Sequence, residues 1–187
     1  MAVQIKTELT PLQQFEQLPE GPPYFELIHN QVFEMPPPSI FHQEISLHLT
    51  LVISAFLSQK AKSLGKLLFA PVEILLSNEN VLEPDLLFVA NERLNIIGKN
   101  RIYGAPDWVC EILSPSTRKR DLTEKRELYF KYGVKEYWIV DPENLTIEVL
   151  AGGKQDFESI GIFTGDQSII SNVFTDLTLK PSLIFNT

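Results

Sequence analysis

The chain has 187 residues, a formal net charge of −8 and 44% hydrophobic residues, which fits one globular domain with its own core and excludes a disordered chain. Its single cysteine excludes an intrachain disulfide framework. With no basic-then-apolar signal sequence at the N-terminus, we expect a reducing, cytoplasmic location. The acidic balance argues against an ordinary high-affinity nucleic-acid binder, so contact with nucleic acid would need a local basic patch or a bound cation.

The first predicted elements are an arm and a hairpin. Residues 1–22 carry several prolines among polar residues, and we interpret them as an N-terminal arm that leads into a single domain of residues 23–187. Two short apolar segments, Tyr24–Ile28 and Gln31–Met35, predict a β-hairpin that turns at His29-Asn30. The prolines that follow end the second strand.

A long helix is predicted to begin after Ser39. Residues of its core-facing stripe recur at helical spacing, at His42, Ile45, Leu49, Val52 and Phe56. For His42 two interpretations stay open: a core histidine, or a residue at the edge of an active site that touches a metal-bound water or a phosphate. Glu44 is offset from the stripe. The two histidines and the glutamate make this stretch too polar to cross a membrane, and no membrane contact is expected.

Three strands are predicted next, at residues 66–70, 72–76 and 85–89. Glu73, in the second strand, is either an accessory carboxylate or part of an exposed face. Asp85 opens the third strand directly after Pro84, a residue that can start a strand without donating a ladder hydrogen bond. A polar connector then runs to residue 103.

The apolar segment of residues 107–113 predicts an interior strand. Side chains alternate between its faces, with Trp108, Cys110 and Ile112 on one side and Val109, Glu111 and Leu113 on the other. Both faces are otherwise apolar, which is typical of a strand covered on both sides. The carboxylate of Glu111, like that of Asp85, is costly to desolvate there unless it is paired, hydrogen-bonded or bound to a metal.

A helix is predicted over residues 121–132. Asp121 is a plausible N-cap with Glu124 as its capping-box partner, and Gly133 can take the left-handed position after the last turn. Lys125 shares one helical face with Leu122, Tyr129 and Tyr132. An inward-facing lysine needs an anion, which Glu111 or a phosphate would supply.

The rest of the chain predicts more strands. Residues 136–140 and 145–150 should pair antiparallel through the turn at Asp141-Pro142, and edge strands are predicted at 157–163 and 168–170. Residues 173–185 are apolar enough to pack back on the domain. The predicted class is α/β (α+β), a mixed β-sheet flanked by helices.

The residues alone leave two interpretations of the charged groups open. Glu111 and Lys125 could form a buried ion pair while Asp85 only starts a strand. Alternatively, Asp85, Glu111 and Lys125 converge in one metal-dependent hydrolytic site. The run Arg118-Lys119-Arg120 is either a solvated loop edge or a local basic patch.

An ordered set of motifs extends over roughly residues 20–150. Its members are the hairpin, the helix entry at residues 38–42, Pro84-Asp85, Glu111-Ile112-Leu113-Ser114-Pro115-Ser116-Thr117, Arg120-Asp121 with Lys125, and Gly133-Val134-Lys135-Glu136-Tyr137-Trp138-Ile139-Val140-Asp141-Pro142. Together they resemble the PD-(D/E)XK nuclease superfamily and, more closely, its Uma-two type. The superfamily has a lysine two residues after the second acidic residue, and this chain has Leu113 there. By the resemblance Lys125, from the following helix, takes that role.

The resemblance implies a restriction-endonuclease-like fold and a divalent-metal-dependent endonuclease that hydrolyses DNA phosphodiester bonds. In it, Asp85 and Glu111 hold Mg²⁺ or Mn²⁺, and Lys125 stabilises the developing negative charge. Arg118 and Arg120 are expected to meet the phosphate backbone, and a homodimer would suit cutting of both strands.

The sequence allows two alternatives to this function. A catalytically inactive nuclease fold, kept as a binding or regulatory module, agrees with the acidic charge. Glycoside hydrolysis by two carboxylates is disfavoured because it gives Lys125 no role.

Overall fold

The computed structural model describes residues 9–186, which form two mixed β-sheets flanked by helices. The predicted fold class is therefore confirmed. The prediction of a single sheet is not, because the strands form two sheets. The helices are α1 (Pro11–Phe15), α2 (Ile40–Ser58), α3 (Arg118–Arg120), α4 (Arg126–Tyr132) and α5 (Pro181–Phe185), with a 3₁₀ helix at Asn91–Ile96 and a π-helical turn at Asp121–Lys125.

The first sheet holds the predicted hairpin. Its strands are β1 (Tyr24–Ile28), β2 (Gln31–Met35), β4 (Ile74–Ser77), β5 (Asn80–Leu82) and β7 (Ile102–Tyr103), in the spatial order β2-β1-β5-β4-β7. β1 and β2 pair antiparallel over their whole length. His29 and Asn30 both have positive φ, at 49° and 64°, as a two-residue type I′ turn requires. The hairpin prediction is confirmed.

The second sheet carries the predicted interior strand. Its members are β3 (Gly65–Phe69), β6 (Leu86–Ala90), β8 (Trp108–Ile112), β9 (Glu136–Asp141), β10 (Thr146–Gly152) and β11 (Phe157–Thr164), in the order β11-β10-β9-β8-β6-β3. β8 pairs antiparallel with β6 and parallel with β9. All five residues of β8 are buried, because neither edge of the strand nor either face meets solvent.

Two separate cores cover the faces of β8. Trp108, Cys110 and Ile112 belong to a cluster that includes the buried residues of α2. Val109 and Leu113 belong to a second cluster, which includes residues of the first sheet and of α4. The predicted alternation is confirmed, and it places the carboxylate of Glu111 among the apolar residues of the second cluster.

Helix α2 begins, as predicted, directly after Ser39, whose side chain accepts a hydrogen bond from the backbone N–H of His42. Its buried face consists of Ile45, Leu49 and Ile53. By length and composition alone this helix could cross a membrane, contrary to the expectation from its polar residues. Core helices of soluble proteins meet the same criteria of length and composition.

The helix predicted over residues 121–132 begins earlier than expected and contains an irregularity. Helical backbone runs over residues 118–132, with the π-helical turn of Asp121–Lys125 between α3 and α4. Asp121 lies inside the helix with helical φ and ψ, so its prediction as the N-cap is wrong. Gly133 does end the helix in the left-handed conformation, with φ of 90°.

Two further details differ from the sequence prediction. Residues 168–170 form no strand, although Ile169 is buried in the core. Of the two strands predicted around Pro71, the first is β3 in the second sheet and the second is β4 in the first sheet. Glu73 lies immediately before β4.

Of the predicted N-terminal arm, residues 1–8 lie outside the described residues. The rest of the arm includes α1, whose Phe15 packs against Leu27 and Val81 of the first sheet. The division into an arm and one domain stays a prediction.

Candidate active site

Asp85 lies immediately before β6 and reaches across to the end of β8. Its Oδ2 accepts a hydrogen bond of 2.7 Å from the backbone N–H of Ile112, the residue after Glu111. Pro84 positions the chain for this crossing, because proline can precede a strand without leaving a ladder donor unpaired. The contact brings the two predicted metal-binding carboxylates to the same end of the sheet.

Glu111 lies on β8 and points into the second core. Its Oε1 accepts hydrogen bonds from Lys125 Nζ at 2.9 Å and from the hydroxyl of Tyr129 at 2.6 Å. Burial raises the pKa of the Glu111 carboxyl well above its usual range, despite the opposing effect of Lys125. Burial thus has the larger of these two opposing effects on the pKa of Glu111.

Lys125 is fully buried and contacts three carboxylates. Its Nζ lies 2.8 Å from Glu26 Oε1, 2.9 Å from Glu111 Oε1 and 3.4 Å from Asp121 Oδ1. Burial alone would lower the pKa of Lys125, but these three carboxylates raise it well above its usual value. Lys125 thus points inward, as predicted, and its single ammonium group faces three carboxylate groups.

The sequence did not identify Glu26 or Asp121 as partners of Lys125. Glu26, on β1, also accepts a hydrogen bond of 2.9 Å from the backbone N–H of Glu83. Its other oxygen, Oε2, and Asp121 Oδ1 are buried, and neither has a hydrogen-bond partner within residues 9–186. Buried polar atoms without partners are rare in folded proteins. We call Glu26, Glu111, Asp121 and Lys125 the Lys125 cluster.

His42 lies in the first turn of α2 and faces Asp85. Its Nε2 is 3.2 Å from Asp85 Oδ1, while its Nδ1 is buried and has no hydrogen-bond partner among the described residues. Burial would lower the pKa of His42, but the hydrogen bond and charge of Asp85 raise it above its usual value. Of the two interpretations left open by the sequence, this contact favours the edge of a site.

Glu83 adds a fifth carboxylate to this region besides Asp85 and the three of the Lys125 cluster. Burial, followed by the nearby charges of Glu26 and Glu73, raises the pKa of Glu83 to about 7. It follows that this group carries its proton to a much higher pH than an exposed glutamate does.

The two arginines predicted to meet phosphates are already beside carboxylates. Arg118 donates a hydrogen bond of 2.8 Å to Asp141, whose pKa it lowers to about 2. Arg120 lies over the ring of Phe33 at 4.0 Å and 3.9 Å from Glu26 Oε2. To bind DNA phosphates, as predicted, both arginines would have to give up these contacts with protein carboxylates.

The remaining candidate carboxylates do not join the Lys125 cluster. Glu73 forms an ion pair of 2.9 Å with Arg101. Glu44 lies beside a shallow depression at the start of α2, with Ile40 and Leu47. Neither residue lines the cleft described next.

A cleft of about 1270 Å³ opens over this region. His42, Asp85, Glu111 and Lys125 all line it, so it brings together the four residues predicted to be catalytic. Its walls also carry eight of the thirteen prolines of the chain, namely Pro22, Pro23, Pro36, Pro37, Pro38, Pro71, Pro115 and Pro142. Within residues 9–186, no group of three or more His, Cys, Asp or Glu side chains is arranged to hold a metal ion by itself.

Comparison with known families identifies the chain. A family model described as "Putative restriction endonuclease" matches residues 12–182. The chain belongs to the Uma2 family. The resemblance inferred from the ordered motifs is therefore confirmed, and Uma2 membership supports a nuclease role in general terms. A search of curated proteins found no match.

The fold of this Uma2 protein is similar to that of a solved structure. That structure is described as a "putative nuclease belonging to DUF820 from Anabaena variabilis ATCC 29413". The two chains align with a TM-score of 0.78 and 23% sequence identity, over 95% of this chain and 98% of the other. At this level of identity the likeness establishes the shared fold.

Proposed function

We propose that this Uma2 protein is a divalent-metal-dependent endonuclease that hydrolyses DNA phosphodiester bonds. The observation that carries the proposal is the arrangement of Asp85, Glu111 and Lys125. These side chains come from different elements and line one cleft. Lys125 donates a hydrogen bond to Glu111, and Asp85 accepts one from the backbone N–H of Ile112, the residue next to Glu111. A buried carboxyl group with a raised pKa in a cleft, such as Glu111, is typical of catalytic sites.

The donor chemistry around the cleft fits Mg²⁺ or Mn²⁺. Both ions prefer oxygen ligands, and Mg²⁺ is commonly held by one or two carboxylates while it keeps several waters. Asp85 and Glu111 are the residues that would hold it. The buried oxygens Glu26 Oε2 and Asp121 Oδ1, which accept no hydrogen bond within residues 9–186, add negative charge that favours a cation. When bound, such an ion polarises a phosphate and lowers the pKa of a water molecule.

Lys125 is positioned to act on the charge that develops at the phosphate. Its ammonium group is fixed by three carboxylates and lines the cleft, so little reorganisation is needed when negative charge forms beside it. Tyr129 holds the same oxygen of Glu111 from the adjacent helical turn. The two donors leave Glu111 Oε2 as the oxygen that would face a cation.

His42 would act as a positioning residue for Asp85. It approaches Oδ1 of that carboxylate, while the backbone N–H of Ile112 holds Oδ2, so both oxygens have fixed directions. A ligand carboxylate that is held by a second residue in this way binds metals more tightly than a free one.

One observation favours the second candidate, an inactive nuclease fold used for binding or regulation. Each of the two cations that line the cleft, Arg118 and Lys125, already contacts a carboxylate. A site with no metal affinity would leave this ion-pair network as a purely structural feature.

The experiment that tests the proposal is a calorimetric titration of Mg²⁺ and Mn²⁺ into the protein and into its Asp85→Asn variant, together with cleavage of plasmid and oligonucleotide DNA. We expect metal binding by the parent protein, much weaker binding by the variant, and cleavage that EDTA abolishes. An Asp176→Asn variant, which alters an exposed carboxylate that pairs with Lys60 outside the cleft, serves as the control and should match the parent in metal binding and cleavage. A parent protein that binds neither metal would favour the inactive module.

A further inference from the structure

Prolines and aromatic rings form a large part of the walls of the cleft. Five of the eight prolines that line it come from the two ends of the β1–β2 hairpin, at Pro22, Pro23 and residues 36–38. Proline has no backbone N–H and a fixed φ, so these positions offer no backbone donor to a phosphate. The other side-chain donors of the lining include Ser39, Gln43, Ser114, Ser116 and Thr117, of which Ser114 hydrogen-bonds to Ser116 and Thr117. Tyr24 and Phe41 add aromatic rings to the same walls, and Tyr24 is 40% exposed.

The charges of the cleft are unfavourable for a polyanion. Seven carboxylate side chains line it, against the two cations Arg118 and Lys125 and the histidine His42. Each of those three basic groups lies within 3.2 Å of a carboxylate oxygen. Apart from the reacting phosphate, which a bound cation would attract, phosphates would meet no unpaired cationic side chain among the residues that line the cleft.

A DNA duplex and a single strand would meet this surface differently. The duplex carries one negative charge per about 1.7 Å along its axis and encloses its bases, so it would present phosphates to the acidic, proline-rich walls. A single strand can turn its phosphates towards solvent and lay its base faces on aromatic and apolar side chains. Only the second arrangement uses the surface that the cleft provides.

We propose that the preferred substrate of this cleft is single-stranded DNA, held mainly through its bases and not through its phosphates. This inference rests on the proposed nuclease function and adds the substrate class to it. The base faces would stack on Tyr24 and pack against the prolines at the ends of the hairpin, while one phosphate at a time would reach Glu111 and Lys125.

The first test compares single-stranded and duplex oligonucleotides of the same sequence. Cleavage rates are measured with the parent protein, and binding is measured by fluorescence anisotropy with the Glu111→Gln variant in Mg²⁺. We expect kcat/KM for the single strand to exceed that for the duplex by about tenfold or more. We also expect affinity for the single strand to fall by less than about tenfold between roughly 50 and 200 mM salt, because few phosphates are neutralised by side chains.

The second test changes the wall. Tyr24→Ala should weaken binding of the single strand by about fivefold or more, the effect of losing one stacked base, and Tyr24→Phe should restore it. Tyr103→Ala is the matched control, since Tyr103 is an exposed tyrosine of the same sheet that does not line the cleft. Its affinity should equal that of the parent.

The outcomes separate the two proposals. Preferred cleavage of the duplex, with affinity that falls by about a thousandfold over the same salt range, would overturn the single-strand inference and leave the nuclease proposal standing. Equal affinities of the Tyr24→Ala and Tyr103→Ala variants would also overturn the inference. Cleavage of neither substrate under any metal condition would overturn the proposed function and the inference with it.

Discussion

The buried carboxylate of Glu136 and the Lys125 cluster are built in opposite ways. Glu136 is fully buried on β9, and its two oxygens accept four hydrogen bonds. The donors are Trp138 Nε1, Ser171 Oγ and the backbone N–H groups of Asn172 and Val173. This carboxylate therefore connects the C-terminal segment to the second sheet, and it does not line the cleft of the candidate site.

The Lys125 cluster has too few donors for its acceptors. Three carboxylates share one ammonium group, and two of their buried oxygens have no hydrogen-bond partner in the described part of the chain. An arrangement of this kind costs stability, because desolvated charges are poorly compensated. Because the Lys125 cluster lies beside a cleft, its negative charge is available to a ligand. The oxygens of Glu136, in contrast, already accept hydrogen bonds from four protein donors.

The largest expected effect is a loss of DNA cleavage on substitution of Glu111, which is not expected on substitution of Glu136. Glu111→Gln should reduce DNA cleavage by about a thousandfold or more, since it removes a charged ligand and the partner of Lys125. The free energy of unfolding should stay the same or rise, because repulsion within the cluster falls. Gel-based cleavage and urea denaturation measure the two quantities, and full retention of cleavage would remove Glu111 from the site.

The reverse result is expected at Glu136. Glu136→Ala leaves four donors buried without an acceptor and should lower the free energy of unfolding by about 3 kcal/mol or more, as measured by urea denaturation. Glu158→Ala, at an exposed position of the edge strand β11, should change it by less than about 0.5 kcal/mol. A loss at Glu136 no greater than that at Glu158 would contradict a fastening role for this carboxylate.

The next effect concerns the cation of the cluster. Lys125→Met should slow turnover by about a hundredfold, the loss of one fixed electrostatic donor. Lys131→Met, at an exposed position of the same helix, should leave turnover unchanged. A variant at Lys125 that changes only the metal affinity, with an unchanged rate at saturating metal, would contradict this role.

The smallest expected effect is the pH dependence of stability. The pKa of Glu83 is about 7 in the folded protein and about 4.5 when unfolded, so the folded state binds more protons between these values. The free energy of unfolding should therefore fall as pH rises from about 4.5 to 7, by on the order of 1–2 kcal/mol for this partly screened group. Glu83→Gln should flatten the profile measured in EDTA, and Glu79→Gln should not.

Much of the fold could be predicted because its signals are local. The hairpin follows from two apolar segments around His29-Asn30, and the two-sided burial of β8 follows from alternation along five residues. The position of Lys125 followed from the spacing of one helical face. These features depend on neighbours in the sequence, which periodicity reports directly.

The missing parts of the site depend on contacts between distant elements. Glu26 shares Lys125 with Glu111 although it lies on the first sheet, 99 positions before the lysine. It stands on the same inward face of β1 as Ile28, so the alternation applied to β8 could have identified it. Asp121 was mistaken for an N-cap because an acidic residue three positions before Glu124 matches the capping box. The π-helical turn that places it inside the helix has no signal in the sequence.

The most direct test of the metal site is a crystal of the protein soaked in Mn²⁺, with anomalous diffraction measured at the manganese edge. We expect one strong anomalous peak in the cleft within ligand distance of Asp85 and Glu111, and none beside Glu136. A peak on other residues, or no peak in the cleft at a Mn²⁺ concentration that supports cleavage, would contradict the assignment of these two carboxylates as the metal ligands.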